Sequence, residues 1–230
     1  MSVKIDTVYQ RVLALANKEQ RGYITPQEFN LLANQAQMEI FEEYFYDQNQ
    51  TDRNLKNSTE FSNIDEMLDE KISYLKQQAT ISLLGSGIGN LPISLYRLGM
   101  VHHLNDGVEI EQLTEEELLY VNNSPLVKPN KTFSAFTRPT NSTIRVYPST
   151  VGGCVINYIG RPAECKWAYV VVNEKALYNA TLSVDFNIHR SEESQLVYRI
   201  LALAGITIAK PGLSTYADQQ TISTKQQEKQ

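Results

Sequence analysis

Apolar positions in the first third of the chain recur at three- and four-residue spacing, which predicts helices. Ile5, Val8, Val12 and Leu15 mark one face of a short helix that Arg21-Gly22-Tyr23 breaks. Ile24-Thr25-Pro26-Gln27-Glu28-Phe29 then reads as a nearly complete helix start. Thr25 is the N-cap, Pro26 stands at the first helical position, where a missing N–H costs nothing, and Glu28 closes a capping box. Ile24 and Phe29 form a hydrophobic staple across it. Phe29, Leu32, Ala33, Ala36, Ile40, Phe41, Tyr44 and Phe45 give the helix a stripe wide enough for two neighbours. Residues 47–61 are polar and unpatterned, which predicts an exposed loop. Ser62, with Asp65 at N3, opens a second capped helix. Its stripe is Ile64, Leu68, Ile72, Leu75, Ala79 and Leu83, and Gly85-Ser86-Gly87-Ile88-Gly89 ends it.

From there the period falls to two. Met100–Leu104 and Val108–Leu113 flank Asn105-Asp106-Gly107, a hairpin signal. Thr114 followed by three glutamates caps a short helix or turn. Phe133–Thr137, Thr143–Tyr147 and Cys154–Ile159 follow as short strands separated by Pro139, Pro148 and Gly152-Gly153. Val170–Val172 and the alternating Val184, Phe186 and Ile188 complete a small sheet. A last helix, capped by Ser191, buries Val197, Ile200, Leu201 and Ala204 and stops at Gly205. Beyond Lys210-Pro211-Gly212 the chain is polar, with too few apolar groups for a core of its own; it is either disordered or an arm that orders on a partner. The expected class is α+β: a helical bundle over 1–89, an antiparallel β subdomain over 90–189, a helix over 190–212 returning to the bundle, and a polar arm over 213–230.

Composition adds mostly exclusions. The 230 residues are 42% hydrophobic and 20% charged, ordinary for a globular chain. A net charge of −5 argues against unspecific grip on nucleic acid or anionic membrane, although it allows a wall that DNA slides past. The opening MSVKIDTVYQ lacks the apolar run of a signal peptide, so cytoplasmic synthesis is expected. No stretch approaches the ~18 apolar residues of a membrane span. Cys154 and Cys165 are too few for a disulfide framework or zinc site and read as reduced, buried thiols.

The search for chemistry returns no catalytic, metal or cofactor site. His102 and His103 are adjacent on a predicted strand and so point to opposite faces. Gly85, Gly87 and Gly89 follow a predicted helix rather than precede one, unlike a phosphate loop, and read as a hinge or linker. Carboxylates at Asp65-Glu66, Asp69-Glu70, Glu115–Glu117 and Glu192-Glu193 fall in or near first helical turns, where the macrodipole favours them. Neither a Gly-x-Ser-x-Gly elbow nor a His-Glu-x-x-His helix occurs. Tyr158, Arg161, Trp167 and Tyr169, with Tyr216 in the polar arm, are the candidate partner interface, because aromatics and Arg bury large areas while keeping a polar handle. Trp167 is either a core residue of the small sheet or an exposed anchor.

The order of these motifs resembles the head–tail connector proteins of tailed bacteriophages, variously called adaptor, ring or tail tubular A-type proteins. The resemblance rests on Ile-Thr-Pro-Gln-Glu-Phe (24–29), Leu-Thr-Glu-Glu-Glu-Leu (113–118), Val-Tyr-Pro (146–148), Tyr-Ile-Gly-Arg-Pro with Trp167 (158–167), Ser-Val-Asp-Phe (183–186) and the helix over 195–206. Asn187-Ile188-His189 departs from it, since many relatives continue with an acid and a proline there; the wording is nearest to ring proteins of marine or crAss-like phages. The resemblance implies a non-enzymatic virion protein, assembled in the host cytoplasm. It would form a dodecameric ring docked on the portal protein, with DNA passing through the lumen unbound and the next tail or ring protein stacked beneath. Such a ring would carry about 60 negative charges, which favours an acidic lumen. The alternative is a soluble adaptor that recognises one partner protein through the β subdomain and Trp167.

Overall fold

The computed structural model describes residues 2–17, 24–53, 60–207, 219–220 and 222–223. In chain order the elements are β1 (Ser2–Val3), α1 (Ile5–Asn17), α2 (Pro26–Arg53), α3 (Glu60–Ser73), β2 (Lys76–Ser82), β3 (Ile88–Asn90), β4 (Leu95–His103), β5 (Glu111–Gln112), α4 (Glu115–Asn123), β6 (Ala135–Thr140), β7 (Thr143–Tyr147), β8 (Gly153–Gly160), β9 (Tyr169–Val172), β10 (Lys175–Tyr178), β11 (Phe186–His189), a 3-10 turn (Arg190–Glu192) and α5 (Glu193–Thr207). The class is α+β. The chain forms two compact units, one of residues 1–74 with 162–230 and one of residues 75–161.

The discontinuous unit is the helical one. Its core comes from Val8 and Val12 of α1, Ala33, Ala36 and Ile40 of α2, and Leu196, Ile200 and Ala204 of α5, all buried. The start of α2 has the expected chemistry. The Thr25 amide donates to the Glu28 carboxylate at 2.9 Å, and the Glu28 amide donates to Thr25 Oγ1 at 3.3 Å. Ile24 and Phe29 are buried beside it. α2 then runs through residues 47–53, where a loop is expected. Arg199 of α5 ties the two helices together, reaching Glu39 at 3.2 Å and Glu43 at 2.8 Å. At the start of α1, Asp185 accepts from the Ile5 amide at 3.0 Å and pairs with Lys4 at 2.7 Å, so a residue 180 positions away caps the helix. Burial opposes ionisation of Asp185, but the Lys4 and Ile5 hydrogen bonds outweigh it and hold the carboxyl below its ordinary range. Lys71 of α3 and Glu192 of the 3-10 turn form an ion pair at 2.7 Å, their side chains only 8% and 1% exposed.

The continuous unit is a β module. A three-stranded sheet in order β2-β8-β4 and a four-stranded sheet in order β3-β7-β6-β5 enclose one core. Ile81, Val101 and Ile156 fill it from the first sheet and Phe136, Ile144 and Val146 from the second. All pairs are antiparallel except β5 with β6. The Asn105-Asp106-Gly107 reversal forms with Gly107 at φ +63°, but its return strand keeps a single bridge, His102 to Glu109, before β5 crosses to the other sheet. α4 opens on the complete Thr114–Glu117 capping box.

Several boundaries differ from expectation. The second helix ends at Ser73, and residues 76–82 form β2 instead, because Ala79, Ile81 and Leu83 also satisfy a period of two and β8 supplies their hydrogen-bond partners. The helix begins at Glu60, ahead of Ser62, and the side chains of Ser62 and Asp65 lie outside the described ones. Gly87 is the left-handed residue (φ +75°) of the turn joining β2 to β3, with a carbonyl so near that a Cβ has no room. The glycine run is therefore a tight turn carrying the chain from one sheet to the other, not a hinge after a helix. The last helix is entered through the 3-10 turn, capped by His189 Nδ1 accepting from the Ser191 amide at 3.3 Å; Ser191 itself is not the cap. α5 continues through Gly205 to Thr207. The predicted β subdomain loses β9, β10 and β11, which belong to the helical unit, and gains β2 and β3. The break at Arg21-Gly22-Tyr23 lies outside the described residues, as does the polar arm apart from residues 219–220 and 222–223.

Candidate interaction surface

The site is built from α2 outward. Asn30, Asn34 and Gln37 lie one helical turn apart on one face, and their amides hold the extended segment 163–168. Gln37 Nε2 donates to the Ala163 carbonyl at 2.8 Å. Asn34 exchanges two bonds with Cys165, at 2.9 Å to its carbonyl and 2.8 Å from its amide. Asn30 does the same with Trp167, at 3.2 Å and 2.7 Å. The match is metrical: four helical residues rise ~6.0 Å, and two extended residues rise ~6.6 Å. Side-chain amides thus stand in for the backbone of a missing partner strand. Gln37 Oε1 also accepts from the Asn187 amide at 3.1 Å, so one residue fastens two segments.

This clamp fixes Trp167, which is 3% exposed. Its indole N–H donates to Asp6 at 3.0 Å. Tyr9 crosses it at 4.4 Å between ring centroids, while Tyr169 and Tyr178 stack on it at 5.9 and 5.6 Å. Tyr9 also meets Phe29 and donates its hydroxyl to the Ile24 carbonyl. Trp167 is therefore a core residue of the helical unit rather than of the small sheet, and it offers no exposed anchor.

What the cluster does present is the β9–β10 hairpin, whose root residues Tyr169 and Tyr178 pair with each other and stack on the indole. The turn residues Asn173 and Glu174 have φ of +49° and +63°, the left-handed pair of a tight two-residue hairpin. Beyond the root, Val170, Val171, Val172 and Leu177 are exposed, Val171 at 63%. The hairpin pairs with no third strand among the described residues. Valines at this density in water are unusual unless a partner covers them.

The other predicted interface residues scatter. Tyr158 lies on β8 in the β module, 7% exposed, its hydroxyl donating to Gln77 Oε1 at 2.8 Å. It is buried because β8 is the central strand of its sheet, where nearly every residue is covered. Arg161 is exposed, with its amide held by the Ser94 carbonyl at 2.7 Å. Tyr169 is half-buried and accepts from Gln27 Nε2 at 3.4 Å. Tyr216 lies outside the described residues. The four described residues of the five are thus divided between two units, Tyr158 and Arg161 in one and Trp167 and Tyr169 in the other, and the apolar side chains exposed just beyond Trp167 are Val170, Val171 and Val172.

No protein family matches this sequence, and no curated protein does.

His103 is buried against Ser134 at 2.5 Å, not a strand-surface residue, while His102 is half-buried. Among the described residues no three His, Cys, Asp or Glu side chains gather as a metal site would need. Burial pushes the Cys154 thiol up to about 11 and the Cys165 thiol up to about 12, so both are poor nucleophiles at neutral pH. Among the described residues no helix is long and apolar enough to cross a membrane.

Proposed function

We propose that the chain is a non-enzymatic subunit of a ring in the head–tail connector of a tailed phage, docking on the portal and extending the DNA channel. The supporting observation is the β9–β10 hairpin: apolar, exposed, and seated on an aromatic base that hydrogen bonds and ring stacking hold in place. A rigid base lowers the ordering cost of association. The order of motifs from Ile24 to Ile206 supplies the particular assembly. The acidic balance of the chain suits a lumen that repels phosphates, so that DNA slides without sticking.

Electron microscopy of the purified chain, alone and with a portal, tests the reading. Closed rings or portal-bound collars are expected. A chain that stays monomeric and ignores portals refutes it, and a ring with a basic lumen removes the account of DNA passage. Deleting residues 213–230 is expected to leave folding intact and weaken docking, because that segment adds little core yet adds interface if it orders on a partner.

A further inference from the structure

The β module turns one face of its three-stranded sheet to solvent. The inward face is fixed by the core, which takes Ile81 of β2, Ile156 of β8 and Val101 of β4. Side chains alternate along a strand, and residues directly opposite in an antiparallel pair share a face. Lys76 and Arg97 both stand opposite Ile159, one on either side of β8, so these three share the outward face. Farther along, Thr80 and His102 stand opposite Val155 on that same face. The Arg161 amide bonds the Ser94 carbonyl, which carries the ladder one residue past β8. Arg161, two residues on from Ile159, therefore joins the other cations. Strand pairing makes this surface continuous, and Lys76, Gln78, Thr80 and Arg97 on it are exposed.

The charges on the face are segregated. β2, β8 and β4 contain two cations and no acid, and both cations lie at the end where β8 finishes. At the opposite end Glu109 pairs with His102 in an isolated antiparallel bridge, which puts its side chain on the outward face, and Asp106 sits in the turn between them. Arg97, Arg161 and Glu109 are exposed, and none has an ion-pair partner among the described residues. From Ile159 to Val155 the two ends lie about 14 Å apart at ~3.4 Å per residue. That exceeds the Debye length of ~10 Å at 0.1 M salt, so the acids of a copy do little to neutralise its own cations.

A face with cations at one end and acids at the other is complementary to itself. Turned over about an axis running across the strands, a second copy lays its Glu109 end on the Arg97 end of the first. The reverse contact then forms by symmetry, as in any isologous pair. A nucleic acid or a uniformly acidic protein would be drawn to one end and repelled by the other.

We infer that the outward face of the β2-β8-β4 sheet is a face-to-face, antiparallel contact between two copies of this chain, in which Arg97 of each meets Glu109 of the other. The inference concerns the β module alone and stands whether or not the chain forms a connector ring.

The test reverses charges in the full chain: Arg97→Glu, Glu109→Arg and the two combined. Both positions are exposed, so far-UV circular dichroism of each variant should match the parent. In sedimentation velocity without a portal, the parent is expected to self-associate below about 1 mM at about 0.1 M salt and to dissociate at about 1 M, where the Debye length falls to ~3 Å. Each single reversal sets like charges together at both junctions and is expected to weaken association at least ~10-fold. The combined variant, and an equimolar mixture of the two single variants, restore opposite charges at both junctions and should return to within about 3-fold of the parent. A second arm carries Arg97→Cys with Glu109→Cys and is treated with a bis-maleimide; Cys154 and Cys165 are buried and do not compete. Linked dimers and nothing larger are expected. A parent monomeric at about 1 mM, a single reversal that associates as the parent does, or a combined variant as weak as the singles overturns the contact. A ladder of cross-linked species beyond the dimer overturns its two-fold geometry. A fluorescent DNA duplex bound by the parent and lost in Arg97→Glu gives the face to nucleic acid and overturns the inference as well. Collars on a portal are scored separately, so loss of this pair and loss of the connector reading are distinct results.

Discussion

Removing the Lys71 ammonium should destabilise the helical unit more than any other single polar change described above. Lys71 and Glu192 are 2.7 Å apart and both buried, so Lys71→Met strands a carboxylate in a site with little access to water. Losing one partner of a buried pair costs about 3–5 kcal/mol, a large share of the ~5–15 kcal/mol that holds a typical domain together. Removing both partners acts differently: Lys71→Met with Glu192→Leu takes away the stranded carboxylate and should recover most of the loss. The assay is urea unfolding followed by Trp167 fluorescence. As the sole tryptophan it reports on the unit that contains the pair, so the β module does not blur the transition. With a slope of ~2 kcal/mol per M, the single variant's midpoint should fall by about 2 M. The double variant should return to within about 0.5 M of the parent, and the coupling should appear as non-additivity in the cycle. A single-variant shift below about 0.5 M would refute the reasoning, because it would mean that the Glu192 carboxylate reaches water.

Other predictions concern different contacts. Asn34→Ala leaves the amide and carbonyl of Cys165 without their partner and should cost about 2–3 kcal/mol, measured as a lower urea midpoint with Trp167 emission shifted to the red. Asp185→Ala should cost about 1–2 kcal/mol at neutral pH, in the range of a lost helix cap. Since the folded carboxyl lies below its ordinary value of 3.8, the stabilisation is present above that value and fades as pH falls through the folded one. The gap between parent and variant should therefore close on acidification, and a gap unchanged at about pH 3 would exclude the carboxylate as its cause. A thiol reagent should label neither Cys154 nor Cys165 in the native protein at neutral pH and both in urea; rapid native labelling would contradict their burial.

Legibility in the sequence followed the range of the forces. The Thr25 and Thr114 capping boxes could be read because each is settled within four residues. β7 is legible as well, since its alternation and flanking turns are local too. Residues 76–82 are ambiguous, because Leu75, Ala79 and Leu83 suit a helical face while Ala79, Ile81 and Leu83 suit a strand. Pairing with β8, some 80 residues away, decides between them. The amide clamp was hidden for a related reason: Asn30, Asn34 and Gln37 resemble a solvated face until segment 163–168 is laid against them. Their spacing of one turn within an otherwise apolar stripe was the available signal. Around Trp167, residue type alone does not say which side chains stay outside. Trp167 is too large and too well satisfied to remain outside, and the plain run Val170-Val171-Val172 is what faces solvent.

The interruption of the helical unit by the β module sets an order of events on the ribosome. α1, α2 and α3 emerge first, yet the segment that fills the Asn30–Asn34–Gln37 clamp and the helix that covers α1 and α2 are encoded after residue 161. At roughly 5–20 residues per second, synthesis of residues 75–161 takes about 4–17 s, during which α2 lacks the cover that α5 and segment 163–168 later give it. The β module, contiguous from Leu75 to Arg161, can close as soon as it clears the exit tunnel. Its first and last strands, β2 and β8, pair side by side, and the Gly160 amide bonds the Leu75 carbonyl at 2.8 Å. That closure brings the two connections together and draws the late segment back toward the waiting helices. The inserted module thus acts as an intramolecular splint: it folds first and shortens the loop that the helical unit must close.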